Sequence, residues 1–268
     1  MRFSIITLTY KRLINLKKLY QNLLSQNKNK NKNLIEWIVV VEKNDLMTIS
    51  YLNKIKKTNS IKVKIIKNKF PGNFSHLVSQ GIELVNGQYI CVVGDDDYFY
   101  PNALSKVEKA IINFNSPQII LGHAQYRNSK NKIIRRSIST LKNKIMNLNS
   151  RIILGFVNYY MCPAVFFSKN LIKKVNLFPR NYSNINDYIT WLHIRNLYKP
   201  VVLKTNIASI GFDKGTISHS FNFEKYIFMW KIYLNSKNYT ILLPLKIIFS
   251  IILLIFNFFY RLFILYLK

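Results

Sequence analysis

Through the first half of the chain, short apolar runs alternate with stretches whose apolar residues recur at three- and four-residue spacing. Residues 4–9 (Ser-Ile-Ile-Thr-Leu-Thr) predict a buried strand, and Leu13, Leu16, Leu19, Tyr20, Leu23 and Leu24 then follow at helical spacing. An Asn/Lys tract over 27–33 reads as a polar loop, 35–41 as a second strand ending at Glu42, and 46–55 as a helix. Apolar and basic residues alternate over 61–66, which predicts a third strand nearer a sheet edge. Phe-Pro-Gly-Asn at 70–73 turns the chain into a helix running through Val85, which Asn86-Gly87 ends. Tyr89 to Val93 is then a continuous apolar run, suited to a strand buried on both faces. Strands alternating with helices predict an α/β fold, a mostly parallel sheet with right-handed crossovers. Ligands gather at the carboxyl ends of such strands, where Thr9, Glu42 and the run Asp95, Asp96, Asp97 all stand.

The second half is less regular. Residues 103–114 read as a helix, 118–124 and 164–167 as strands, 184–197 as a helix carrying Asp187, and 201–210 as a closing strand. Residues 127–144 hold seven basic residues and no acid. They read either as a solvated loop or hairpin, or as a surface for lipid headgroups or an anionic acceptor.

From residue 241 nearly every position is Leu, Ile, Phe or Tyr, and the polar exceptions Lys246, Ser250, Asn257, Arg261 and Lys268 fall on one narrow stripe of a helix. The 14 uncharged residues between Lys246 and Arg261 would cover roughly 21 Å of a hydrocarbon core of about 30 Å. This predicts membrane attachment by segment 221–268, spanning or interfacial, with a dimerisation helix as the alternative.

Composition changes the picture in two places. The formal charge of +29 would attract anionic partners, yet the basic residues are scattered and no nucleic-acid module is present, so nucleic acid is not an expected partner. Cys91 and Cys162 have neither zinc-site nor disulfide spacing, which fits a reducing cytosol, and a strand beginning within three residues of Met1 leaves no room for a secretory signal.

The chain holds only 11 acids against 40 Lys and Arg, and three of those acids are adjacent in Gly94-Asp95-Asp96-Asp97. Neighbouring carboxylates repel one another, so this cluster points to a divalent cation or another strong positive charge.

In this order of parts, residues 3–220 resemble the family-two glycosyltransferases, nucleotide-sugar enzymes with the GT-A fold. Residues 4–12, with Thr9 and Tyr10, are similar to the family's opening strand and loop, which meet the nucleotide. Residues 36–42 are similar to its second strand, and Glu42 or Asp45 then takes the nucleoside contact. Gly72 to Gly81 corresponds to the glycine loop and helix. Asp95, Asp96 and Asp97 with Pro101 match the metal-binding Asp-x-Asp element, the ligands being Asp95 with Asp97 or Asp96 with Asp97; Asp95 and Asp96 also count among the donor-binding residues. Asn186-Asp187-Tyr188 resembles the Glu-Asp element whose Asp is the catalytic base, with Trp191 one turn on as an apolar platform for a sugar ring. His219 stands where some GT-A enzymes add a metal or phosphate contact.

The resemblance implies a catalytic domain over 1–220, with a nucleotide-sugar half (1–123) and an acceptor half (124–220). It implies an inverting, non-processive transferase that uses Mg2+ or Mn2+ and a nucleoside-diphosphate sugar, UDP being the expected carrier. The acceptor would be a glycan or glycolipid at an anionic membrane surface, on the cytoplasmic face of the inner membrane, in lipopolysaccharide or capsule synthesis. The alternative is an inactive, membrane-associated protein that keeps the nucleotide-sugar fold.

Overall fold

The computed structural model describes residues 2–26, 34–58, 61–68, 73–179 and 186–212, with 251 and 255 beyond them. Gly72, His219 and almost all of the apolar C-terminal segment lie outside the described residues. Among the described residues no helix is long and apolar enough to cross a membrane.

The β/α alternation expected from the apolar pattern is present. β1 (Phe3–Thr9), α1 (Leu13–Gln26), β2 (Ile35–Glu42), α2 (Leu46–Lys56), β3 (Lys62–Asn68), α3 (Phe74–Glu83) and β4 (Tyr89–Val92) follow in order. β1 pairs in parallel with both β2 and β4, and β2 with β3. β1 and β4 are buried along almost their whole length because helices cover both faces of a parallel sheet. β3, whose alternation placed it near an edge, ends the strand order.

The remainder builds the other side of one mixed α/β sheet, mostly parallel by paired length, in the order β3-β2-β1-β4-β8-β6-β9-β5. β5 (Tyr98–Phe99) follows the acidic run, then α4 (Ala103–Asn113) and β6 (Ile119–Arg127). β7 (Ile133–Ile134) pairs with β6 as a short hairpin. α5 (Arg136–Leu148) and α6 (Arg151–Phe156) come next, then β8 (Val165–Ser168), α7 (Asn186–Leu197) and β9 (Val201–Gly211). β8 runs antiparallel between β4 and β6, while β9 is parallel to β6.

Two sequence expectations are corrected here. Residues 127–144 contain the expected hairpin, but the second half of the basic stretch, 136–144, is helical, in α5. Trp191 is no exposed platform: it is fully buried among Tyr160, Phe167 and Phe178, with ring centroids 6.2, 6.1 and 5.8 Å away. An indole buries more apolar area than almost any side chain, and the core claims it.

At the amino end of the sheet a buried carboxylate ties three segments. Glu36 Oε1 accepts from Ser4 Oγ, Asn86 N and Gly87 N, and Oε2 lies 2.9 Å from Lys64 Nζ. Burial alone would raise its pKa, but the hydrogen bonds from Ser4, Asn86 and Gly87 and the Lys64 partner outweigh it, and the net shift is downward. The turn that feeds β4, and so the acidic run, is thereby fixed.

Candidate active site

The acidic run leaves the carboxyl end of β4 and re-enters the sheet as β5, whose Tyr98 and Phe99 pair with Ser209 and Ala208 of β9. Two buried amides on α1, one turn apart, hold this re-entry. The Asn22 side chain donates to Phe99 O (2.9 Å) and accepts from Phe99 N (2.8 Å), closing the hydrogen bonds a neighbouring strand would make. Gln26 donates to Tyr100 O (2.9 Å). Neither residue stood out in the sequence, because a polar residue on a helix announces itself only once its buried partner is known.

Between those anchors the three carboxylates take different partners. Asp95 is buried, and its Oδ2 accepts from Thr9 Oγ1 at 2.7 Å. Its Oδ1 is buried without a hydrogen bond and lies 2.9 Å from Arg12 Nη1. Asp96 Oδ2 accepts from Arg12 Nη2 at 2.7 Å. Asp97 accepts from Gly94 N on Oδ2 (2.7 Å) and from Gly211 N on Oδ1 (3.0 Å). Gly211 at the end of β9 is required for space as well: a Cβ there would lie 2.5 Å from Asp96 Cγ.

Burial first, and charge crowding after it, shift the pKa of these groups. Burial raises Asp95 to about 6; the Thr9 hydrogen bond and Arg12 pull it down, and Asp96 pushes it up. Burial and the Asp96 charge raise Asp97 to about 7, against the backbone N–H groups of Gly94 and Gly211. Burial works against charge on Arg12, but its hydrogen bond to Asp96 and the charges of Asp95, Asp96 and Asp97 prevail, and its pKa lies above the ordinary guanidinium value.

Of the other expected donor-binding residues, Tyr10 is exposed just past the end of β1, with Lys11 Nζ 5.1 Å from its ring centroid. Glu42 ends β2 half-buried. Asp45 is buried and spends its carboxylate on local structure: Oδ2 accepts from Lys11 N (2.6 Å), and Oδ1 caps α2 by accepting from Thr48 N (3.2 Å). It thus fixes the loop that carries Tyr10 and Arg12. Lys11 sits at φ 53°, a left-handed turn that this contact holds.

Asp187 lies half-buried in the first turn of α7, its Oδ1 accepting from Tyr188 N at 2.7 Å. Cys162, half-buried, points its Sγ at Val92 O at the end of β4 (3.6 Å). Burial pushes that thiol well up, and the charges of Asp187, Cys91 and Asp97 add to the shift.

Among the described residues no three His, Cys, Asp or Glu side chains converge as a ready-made metal cage. The donor set nevertheless fits Mg2+ or Mn2+. These hard cations take carboxylate oxygens, and Mg2+ commonly uses one or two carboxylates with substrate phosphates and water completing the shell. Asp95 Oδ1, buried and ion-paired with Arg12 but outside any hydrogen bond, is such an oxygen.

The family model for glycosyl transferase family 2 matches residues 4–175. The chain belongs to that family. Solved structures share the fold at low identity. A crystal structure of S. aureus TarS residues 1–349 with UDP-GlcNAc is 18% identical, covers 92% of this chain and 69% of its own, and superposes with a TM-score of 0.66. For the longer TarS structure the values are 17%, 92%, 41% and 0.63, so this chain spans well under half of that relative. The mannosyltransferase PcManGT from Pyrobaculum calidifontis, in complex with GDP-Man and Mn2+, is 13% identical over 81% of this chain and 58% of its own, with a TM-score of 0.58. No curated protein matches the sequence. This family-2 glycosyltransferase therefore has the GT-A architecture its sequence resembled.

Proposed function

We propose that the protein transfers one sugar from a nucleoside-diphosphate donor to a hydroxyl acceptor with inversion. The observation that carries this reading is the cluster at the end of β4: three carboxylates, two of them with raised pKa, held by β1, β9 and Arg12. Solved relatives with this fold hold UDP-GlcNAc, or GDP-Man with Mn2+, and support a nucleotide sugar as donor.

Asp95 or Asp96, with Asp97, would hold Mg2+ or Mn2+, which supplies positive charge against the charge growing on the departing diphosphate. The chain's own residues do the rest. Exposed Tyr10 and half-buried Glu42 flank the donor's nucleoside, and Asp45 keeps their loop in place. Asp187 accepts the proton of the acceptor hydroxyl as that oxygen attacks the anomeric carbon opposite the leaving diphosphate; the C–O bond to the acceptor forms as the bond to the diphosphate breaks. The acid-free, basic stretch between Glu108 and Asp187 suits a phosphate-bearing or lipid-linked acceptor. With the apolar segment 221–268, this supports work at the cytoplasmic face of the inner membrane on a surface glycan.

The test is release of nucleoside diphosphate from UDP-, GDP- and dTDP-sugars with Mn2+ or with chelator, alongside donor binding. Metal-dependent release that Asp187→Asn abolishes while donor binding persists is the expected result. No metal-dependent binding of any donor would overturn the reading, and binding without turnover across a panel of acceptors would favour an inactive nucleotide-sugar binder.

A further inference from the structure

α5 presents part of its apolar side to solvent: Leu141 and Leu148 are exposed, while Ile138 is half-buried and Ile145 packs against the core. Ile138, Leu141, Ile145 and Leu148 lie within about 80° of arc on a helix of 3.6 residues per turn. The rest of the inward contact is made by other residues. Ser139 and Met146 are buried, and the Asn143 side chain donates to Ala124 O (3.1 Å) and accepts from Ala124 N (3.2 Å) on β6. Leu141 is 46% exposed and Leu148 67%, and Ile152 at the start of α6 adds another apolar side chain at 55%. Lys142 and Lys144 stand on either side of this stripe.

We propose that α5 and the start of α6 form a docking surface for an anionic lipid bilayer. A helix with an apolar stripe between cationic flanks settles at the headgroup boundary, with apolar burial and electrostatic attraction adding. Charge selects this occupant over the others. Between Glu108 and Asp187 the chain carries 13 Lys and Arg and no acid, so the same face of a second copy would meet it with like charge. The protein's own segment 221–268 carries six Lys and Arg against the single acid Glu224, and it too is repelled.

The surface is coupled to the active site. Arg135, immediately before α5, lies 3.8 Å over the ring of Phe212, which follows Gly211, the residue whose N–H holds Asp97. Docking α5 would bring that end of the site toward the lipid, where a lipid-linked acceptor would stand. The inference names a surface for the membrane association proposed above, and it is tested separately from catalysis and from segment 221–268.

The experiment uses the full chain in vesicle flotation with phosphatidylcholine alone or mixed with phosphatidylglycerol, comparing wild type with Leu141→Glu/Leu148→Glu. Both leucines are exposed, so the fold should be kept, and donor binding serves as the control. Wild type should float with the anionic vesicles, and the variant should partition at least about tenfold less, with donor binding unchanged. A spin label on Leu148→Cys should become accessible to oxygen and shielded from a polar relaxant only when anionic vesicles are added. Equal flotation of wild type and variant would overturn the proposal, since segment 221–268 would then account for binding. A label shielded before any lipid is present would overturn it in favour of a protein occupant, either that segment or, where shielding grows with protein concentration, a second copy.

Discussion

Arg12 and Asp96 are joined at 2.7 Å across 84 residues of sequence, and the same guanidinium lies 2.9 Å from Asp95. A fixed cation from the loop after β1 thus neutralises part of the acidic run. A divalent ion entering there must share or displace it, since like charges a few ångströms apart in a partly buried site repel. Arg12→Gln should therefore bind Mn2+ about tenfold more tightly in the absence of nucleotide, measured from the electron paramagnetic resonance signal of free Mn2+. Weaker binding in the variant would mean instead that Arg12 holds the carboxylates in the arrangement the metal needs.

The acidic run also fixes how stability varies with pH. Asp95 and Asp97 have pKa values raised to about 6 and about 7, chiefly by burial. Above the ordinary carboxylate value the unfolded chain has released protons that the native protein still holds. Folding stability contributed by these two groups is complete below that value and is lost as pH rises through about 6 and about 7. The melting temperature of chelator-treated protein should fall across that window, and Mn2+ should offset the fall because it favours the ionised carboxylates. Asp97→Asn should flatten part of the metal-free dependence; an unchanged profile would assign the titration elsewhere.

The sequence revealed the parts whose signal is local. The strands β1, β2 and β4 and the helices between them follow from apolar periodicity, and the acidic run stood out against a basic chain. Its partners did not, because Gly211 is 114 residues from Asp97 and Arg12 is 83 from Asp95, and neither pairing leaves a local trace. α5 went unread for a different reason: its charges suggested a loop, although Ile138, Leu141, Ile145 and Leu148 already had helical spacing. Trp191 shows what spacing leaves open. Residues four apart share a side of a helix, but Asp187 is half-buried at its rim while Trp191 lies fully inside.

Glu36 offers a test that separates scaffold from site. It lies at the amino end of β2, opposite the acids, and its carboxylate receives Ser4, Asn86, Gly87 and Lys64. Removing one member of a buried, hydrogen-bonded ion pair strands its partners and costs about 3–5 kcal/mol. Glu36→Ala should lose about that much stability in denaturant titration, while the folded fraction keeps its affinity for donor. A selective loss of donor affinity at unchanged stability would place Glu36 in the functional machinery instead.

Trp191 decides between core and sugar platform. Fully buried against Tyr160, Phe167 and Phe178, it should behave as packing. Truncating a buried aromatic leaves a cavity and costs about 3–5 kcal/mol, so Trp191→Ala should unfold at markedly lower denaturant. Trp191→Phe leaves a smaller void and keeps the aromatic contacts, so it should recover most of that stability. KM for the acceptor should be the same in Trp191→Phe as in wild type, because no substrate reaches the indole. A stable Trp191→Phe protein with a raised acceptor KM and unchanged donor affinity would show that α7 moves to expose the ring during turnover, and would restore the platform role that its burial argues against.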